Sequence, residues 1–414
     1  MDSNGFEFHL ELPKEVELAL TTLAQNGFVA YVVGGAVRDA LLGAKPHDFD
    51  IASPSTPAET MKCFPGYVID RSGLKHGTVR VIIHKYPVEI TTFRTESDYG
   101  DFRHPGKVSF VTSPFTDSTR RDFTFNAFYY RDGKVLDFHN GIADLKAKTI
   151  RTIGNPIARF REDALRILRA LRFAAEYGFA IDPAAKKAMA VCAPELLRIS
   201  AERIDSELLR TAAYPDFLQT VAANKEVFEP IFGGIEEIPE KILALEVSHS
   251  PFVNLALLLW LMGTKPAAAE ALLAKLRFAS SNAAAIVALL AIDSKTTIGE
   301  LATASTLPMR LFLLMTQPLD PEIALEFVKL RDEAQGLDVS GYAKARDFAV
   351  SPIGQKVPVA KKDLMVTGND LKRLGFKPGP AFRDILEELL LAVNQQKVGT
   401  DRKSQLQWLG GKKG

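Results

Sequence analysis

Asp48 and Asp50 stand two residues apart, nine residues beyond the run Gly34-Gly35-Ala36-Val37-Arg38-Asp39. On a strand, residues i and i+2 point to the same face, so the two carboxylates are expected to project together, with Phe49 turned inward between them. Like charges side by side repel, and one of them would hold its proton unless a cation relieves the pair. Mg²⁺, a hard ion that takes oxygen ligands, does this. The glycine turn after the apolar run Tyr31-Val32-Val33 supplies the complement, because its backbone N–H groups can approach phosphates. A bare D-x-D is equally an exposed strand end; with the Gly-Gly-x-x-Arg-Asp element upstream, the pair reads as half of a metal–triphosphate site.

Further polar groups suit a nucleotide. Arg120-Arg121-Asp122-Phe123-Thr124-Phe125-Asn126-Ala127 offers a guanidinium for phosphate, a carboxylate for a ribose hydroxyl and Asn126 for orientation. A surface arginine pair capping a helix is the plain alternative. Glu89 is a lone acid among β-prone residues, a candidate third carboxylate or an ordinary edge residue. In 160–173, Asp163, Arg166, Arg169 and Arg172 recur at a step of three, which makes them neighbours on one helix face. Leu165, Leu168 and Leu171 form another stripe, so the expected helix is amphipathic and carries a polar ladder.

These groups need a scaffold. A helix is expected over 13–26, with Pro13 at its start and Gly27 just past its end. Short strands are expected at 28–33, 49–52, 78–83, 88–93, 108–111 and 135–138, making an α/β unit that ends near Ile150. Beyond it strand signals nearly vanish. Helices are expected at 162–177, 184–193, 201–211, 252–261, 267–276, 282–292 and 323–334. Soft boundaries fall at Gly154-Asn155-Pro156, around Tyr214-Pro215 and across 336–355.

The chain has 414 residues, 47% hydrophobic and 24% charged, which fits an ordered protein of several domains. Its net charge of +1 advertises no global basic field, although 361–414 holds eleven Lys and Arg against six Asp and Glu. Cys63 and Cys192 are the only cysteines, too few for a disulfide framework and not placed as a zinc pair. With no leader-like apolar segment and no apolar run long enough to span a membrane, a cytoplasmic location is expected. The turn lacks G-x-G-x-x-G spacing and there is no G-x-x-x-x-G-K-[ST] loop, which excludes the usual dinucleotide and P-loop readings.

The ordered motifs resemble the class II CCA-adding tRNA nucleotidyltransferases and the related bacterial-type poly(A) polymerases. The resemblance rests on Gly34 to Asp39, Leu41-Leu42-Gly43 with Asp48-Phe49-Asp50, Arg120 to Ala127, Asp137 to Gly141, Glu162-Asp163 with Arg166, and Ser200-Ala201-Glu202-Arg203-Ile204. It covers residues 28–210. It implies an α+β head with the polymerase beta-like nucleotidyltransferase fold over 1–150. All-α neck, body and tail domains would follow at 151–212, 213–335 and 336–414. It further implies that Asp48 and Asp50 hold two Mg²⁺ ions, with Glu89 a helper. Gly35 and Arg38 would grip the triphosphate of CTP or ATP, while Arg120, Asp122 and Asn126 contact the nucleotide. Asp163, Arg166, Arg169 and Arg172 would read the base and its phosphates. In the tail, Lys372, Arg373 and Lys377 are candidates for contact with tRNA.

Base choice also follows from chemistry. Cytosine and adenine both present an amine donor beside a ring-nitrogen acceptor, matching a carboxylate and a guanidinium. Uracil and guanine reverse that pattern, and each unpaired buried group costs about 1–3 kcal/mol. Asp163 with Arg166 therefore predicts addition of C and A without a template. The segment Gly73-Leu74-Lys75-His76-Gly77-Thr78-Val79 and the charged stretch 94–107 resemble the full CCA-adding members, the latter as a flexible lever. A poly(A) polymerase, or a member adding only CC or only A, is the alternative within the family.

Overall fold

The computed structural model describes residues 4–99, 105–303, 305–351, 354 and 356–412. Contacts divide the chain into two compact units. One comprises Met1–Leu208 with Ala223–Gly234, the other Leu209–Ala222 with Ile235–Gly414.

The first unit is built on an eight-stranded sheet in the order β1-β10-β9-β2-β3-β6-β5-β4. The strands are β1 (Asn4–Glu7), β2 (Tyr31–Val33), β3 (Asp50–Ser53), β4 (Val68–Asp70), β5 (Thr78–Ile83), β6 (Tyr86–Thr92), β9 (Phe128–Arg131) and β10 (Lys134–Asp137). Every neighbouring pair is antiparallel except β3 with β6, which is parallel. The helices α1 (Lys14–Gln25), α2 (Gly35–Leu41) and α3 (Pro57–Cys63) accompany it. Alternation along β5 and β6 buries Val79, Val81, Ile83, Val88 and Ile90, as a half-buried sheet requires.

β7 (Arg94–Tyr99) and β8 (Pro105–Phe110) form a separate antiparallel ribbon. The stretch expected as a lever is thus a paired hairpin where it is described, and residues 100–104 lie outside the described part. Then come α4 (Pro114–Ser118), α5 (Gly141–Lys146), α6 (Pro156–Glu162), α7 (Leu165–Tyr177), α8 (Pro183–Cys192) and α9 (Ala201–Ala212), with the short pair β11 (Thr149–Ile150) and β12 (Ala180–Ile181) after α5 and α7. Gly141 is held to its type by space: a Cβ there would lie 2.3 Å from the Thr124 carbonyl oxygen.

The second unit is helical. Pro251–Leu261 is its most apolar helix, buried from Val253 to Leu259. Near the end of the chain, Leu371, Leu389, Val393 and Leu409 from three helices close a small core. Among the described residues, no single helix is long and apolar enough to cross a membrane. Both cysteines are buried and unpaired.

Candidate active site

One cross-strand row organises the site. Tyr129 on β9 stands opposite Val33 on β2, Val33 opposite Asp50 on β3, and Asp50 opposite Glu89 on β6. Glu89 in turn faces Arg80 on β5, and Arg80 faces Asp70 on β4. Residues in register across a sheet share a face. Two acids far apart in sequence are therefore set side by side by the single parallel pairing. Arg80 binds Glu89 through both Nε and Nη2, and reaches Asp70 at 3.3 Å. Burial in the concave wall, then Glu89 and Asp48, push the Asp50 carboxyl above its usual range, while Arg121 pulls the other way. The residue as a whole remains exposed to solvent.

The structure alters the expected D-x-D geometry. β3 begins at Asp50, and Asp48 lies in the preceding loop, exposed to solvent. β2 is only three residues long and pairs with Asp50, Ile51 and Ala52, and the β6 pairing also begins at Asp50, so Asp48 has no cross-strand partner in the sheet. Phe49 is buried between the acids, as expected. Among the described residues no three acids, histidines or cysteines gather tightly enough to enclose a metal alone. Two carboxylates with open coordination fit Mg²⁺, which characteristically takes its remaining ligands from water and substrate phosphates.

Beside this row runs the glycine turn. Gly34 has φ +72°, a left-handed conformation that favours glycine, and it starts α2. That helix buries Arg38, whose Nη1 donates to Asn126 Oδ1 at 2.6 Å and whose Nε donates to Asp39 at 2.8 Å. The guanidinium also lies 5.2 Å from the Phe173 ring and 5.0 Å from the Tyr177 ring. Tyr177 Oη in turn donates to Asp39. Arg38 is fixed on every side.

A cavity of about 610 Å³ joins these parts. Its wall includes Gly34, Gly35, Arg38, Asp50, Arg120, Asp122, Asn126, Asp163, Arg166, Arg169 and Arg172, most of the residues singled out in the sequence. Asp48 and Glu89 flank it through Asp50 and are not part of its wall. Arginine outnumbers acid in the wall, which suits a polyanion. Internal pairs hold most of these cations in place. Asp122 receives Arg169 Nε and Nη2 at 2.9 and 2.6 Å. Burial would raise Asp122, but Arg169 and Arg166 outweigh it and hold the carboxyl below its ordinary value. Arg172 bonds Glu207 and Glu176 at 2.9 and 2.8 Å and lies over the Phe173 ring.

The expected continuous helix over 162–177 is two helices. Asp163 closes α6 in extended backbone (φ −145°, ψ 102°), and α7 starts at Leu165. Asp163 Oδ1 accepts the Leu165 N–H at 3.1 Å, and the carboxylate also takes two N–H groups of Arg203. These bonds compete with helical continuation, which is why local periodicity misses the break. Only Arg166, Arg169 and Arg172 share α7; Asp163 stands at its mouth. Arg166 is buried, bonded to Glu162 at 2.7 Å and to the carbonyls of Arg159 and Arg120.

Sequence reasoning passed over Asp117 and Tyr129, and named Arg121 and Arg203 only as members of motifs, with no role of their own. Asp117 has zero exposure and accepts the Arg94 backbone N–H, Arg120 Nε and Tyr129 Oη. Burial would raise its carboxyl, yet Arg120 and Arg121 hold it below the ordinary value. The signal was present in Arg120-Arg121 three and four residues after an acid. In the second unit, Lys372, Arg373 and Lys377 are all exposed, with Arg373 3.8 Å from Asp370.

Comparison with known proteins agrees with this architecture. Residues 30–151 match the family described as "Poly A polymerase head domain". Residues 178–223 match "Probable RNA and SrmB- binding site of polymerase A", and residues 253–409 match tRNA nucleotidyltransferase domain 2. The CCA-adding enzyme of Lacticaseibacillus paracasei is 35% identical over 402 residues, covering 93% of this chain and 91% of that protein. That of Streptococcus pneumoniae strain CGSP14 is 34% identical over 415 residues, covering 95% and 97%. The solved CCA-adding enzyme of Bacillus stearothermophilus in complex with CTP superposes with a TM-score of 0.75 at 30% identity, covering 97% of each chain. By identity sustained along nearly its whole length, and by a solved structure that superposes over 97% of each chain, the chain belongs to the CCA-adding enzymes, a family of tRNA nucleotidyltransferases.

Proposed function

We propose that the chain builds C-C-A on the 3′ end of tRNA from CTP and ATP in the cavity of the first unit, without a nucleic-acid template. The observation that carries this reading is the joining, in one arginine-rich cavity, of Asp50 and the glycine turn with Asp163 and Arg166. In each cycle the terminal 3′-oxygen of the RNA bonds to the α-phosphorus, the bond from that phosphorus to the bridging oxygen breaks, and pyrophosphate leaves. Gly35 and Arg38 hold the triphosphate. Arg120, Asp122 and Asn126 orient the nucleotide, with Asp122 itself anchored by Arg169. Asp163 accepts from the exocyclic amine and Arg166 donates to the ring nitrogen, which excludes U and G.

Asp48 and Asp50 are the residues that would hold two Mg²⁺ ions, with Glu89 beside Asp50 as helper. When bound, the ions supply neutralisation of the triphosphate and a lower pKa for the 3′-hydroxyl. Functionally, residues 1–150 serve as head, 151–212 as neck, 213–335 as body and 336–414 as tail. Lys372, Arg373 and Lys377 meet tRNA phosphates. The buried unpaired cysteines suit a reducing cytoplasm.

The test uses the full chain with Mg²⁺, a tRNA lacking its CCA end, and labelled CTP and ATP singly and together. Three added nucleotides, with A dependent on prior C-C, is the expected result. A long A tract on unrelated RNA would assign the chain to the poly(A) polymerases, and two C residues without A would remove the role given to 94–107.

A further inference from the structure

Arg121 differs from its neighbours in the cavity wall. Arg38, Arg94, Arg120, Arg166, Arg169, Arg172 and Arg203 each make a close bond to a carboxylate. The carboxylate nearest Arg121 is Asp117, at 3.6 Å, and the only hydrogen bond its side chain makes among the described residues runs from Nε to Tyr129 Oη at 3.0 Å. Its guanidinium is nevertheless firmly seated, 5.0 Å over the Tyr129 ring. Tyr129 Oη donates to Asp117 at 2.5 Å, and both of those residues are fully buried. A fixed guanidinium with unspent donors on a cavity wall is built for an anion.

The glycine turn beside Arg121 points to which anion. Tyr129 and Asp50 flank Val33 on either side, and Val33 immediately precedes the glycine turn. Nη1 of Arg121 points at that turn, 3.4 Å from where a Cβ on Gly34 would stand. It therefore lies against the turn, on the cavity wall that Asp50 also lines. Taking the site as read under Proposed function, on which this inference rests, that turn faces the phosphates beyond the α-phosphorus.

We propose that Arg121 is a further catalytic residue, binding the part of the triphosphate that departs as pyrophosphate, and that Asp117 and Tyr129 position it. Asp117 also takes Arg120 and the Arg94 N–H, so one buried carboxylate sets the nucleotide arginine, the phosphate arginine and the start of β7.

The test measures steady-state CCA addition and inhibition by inorganic pyrophosphate for the wild type and for Arg121→Gln, Tyr129→Phe and Arg38→Ala. Arg121→Gln is expected to raise KM for CTP and ATP about equally, roughly tenfold, and to weaken pyrophosphate inhibition by a similar factor. KM for tRNA should not move. Tyr129→Phe keeps the ring and loses the hydroxyl, and is expected to shift the same constants in the same direction by about threefold. If Arg121→Gln does not fold, Arg121→Lys, which keeps the charge without the fork, carries the test. Unchanged KM and pyrophosphate inhibition would overturn the phosphate role, as would a fall in kcat alone. No shift in Tyr129→Phe would overturn the positioning role. If the wild type fails to add C and A, the proposed function fails; if the wild type is active and Arg38→Ala raises KM while Arg121→Gln does not, only this inference falls.

Discussion

Asp163 and Arg203 form a two-pronged ion pair, Nη1 and Nη2 donating to the two carboxylate oxygens at 3.2 and 2.8 Å. Arg203 comes from α9 and Asp163 from the break between α6 and α7. The acid proposed to read the base is thus aimed by a residue forty positions away. Arg203→Ala is expected to weaken discrimination against UTP and GTP by about 5- to 150-fold, the equivalent of one mispaired buried group. Misincorporation assays with each single nucleotide check this, and unchanged selectivity would defeat it.

Arg166 is aimed in the same manner by Glu162, four residues earlier, through a 2.7 Å bond. Glu162→Gln keeps the shape and loses the charge. It should relax base choice in the same assay, less than Arg166→Ala does, with KM for the triphosphate little changed. Equal KM increases for all four nucleotides would instead mark both residues as phosphate contacts.

Asp50 separates activity from stability. Its folded carboxyl titrates above its ordinary value, so without a cation its ionised form weighs against the folded state at neutral pH. That penalty fades as pH falls toward the unfolded value. Asp50→Asn should abolish addition while raising the metal-free melting temperature by about 1–3 °C. Its melting should also respond less to Mg²⁺ than the wild type's. A melt lower than wild type in metal-free buffer would refute the electrostatic account.

Asp117 acts in the opposite sense. Its folded carboxyl sits below 3.8, so the stability it gives is present above about pH 4 and is lost as pH falls through the folded value. Asp117→Ala leaves buried arginine charge uncompensated and should cost about 3–5 kcal/mol. Denaturant melts across pH 3–7 test this: the gap between wild type and variant should narrow at the acid end.

In the second unit, exchanging Lys372, Arg373 and Lys377 together for Ala should weaken tRNA binding and reduce the salt slope of that binding by up to about 3, one per lost phosphate contact. KM for CTP should stay unchanged. An unaltered salt slope would show that these exposed side chains meet no phosphate.

What the amino-acid order determined by itself is the local chemistry. The hydrophobic alternation of 78–83 sets β5 to the residue, and Pro and apolar spacing set Pro183–Cys192 and Pro251–Leu261 within a residue or two. The acids, the arginines and the glycine turn could likewise be read as a metal–triphosphate site, because residue type and short spacing define what a group can bind. Tertiary structure decided which of these groups meet. Glu89 stands beside Asp50 only because β3 and β6 run parallel, and the Asp48–Asp50 pair is split between loop and strand because β2 is too short to extend the pairing. Asp163 leaves the helix because Arg203 and the Leu165 N–H claim its carboxylate. Arg121 gains its place from Tyr129 on β9 and Asp117 on α4, which the fold brings together. Hydrogen bonds between distant segments carry no local period, so the fold alone could assign those partners.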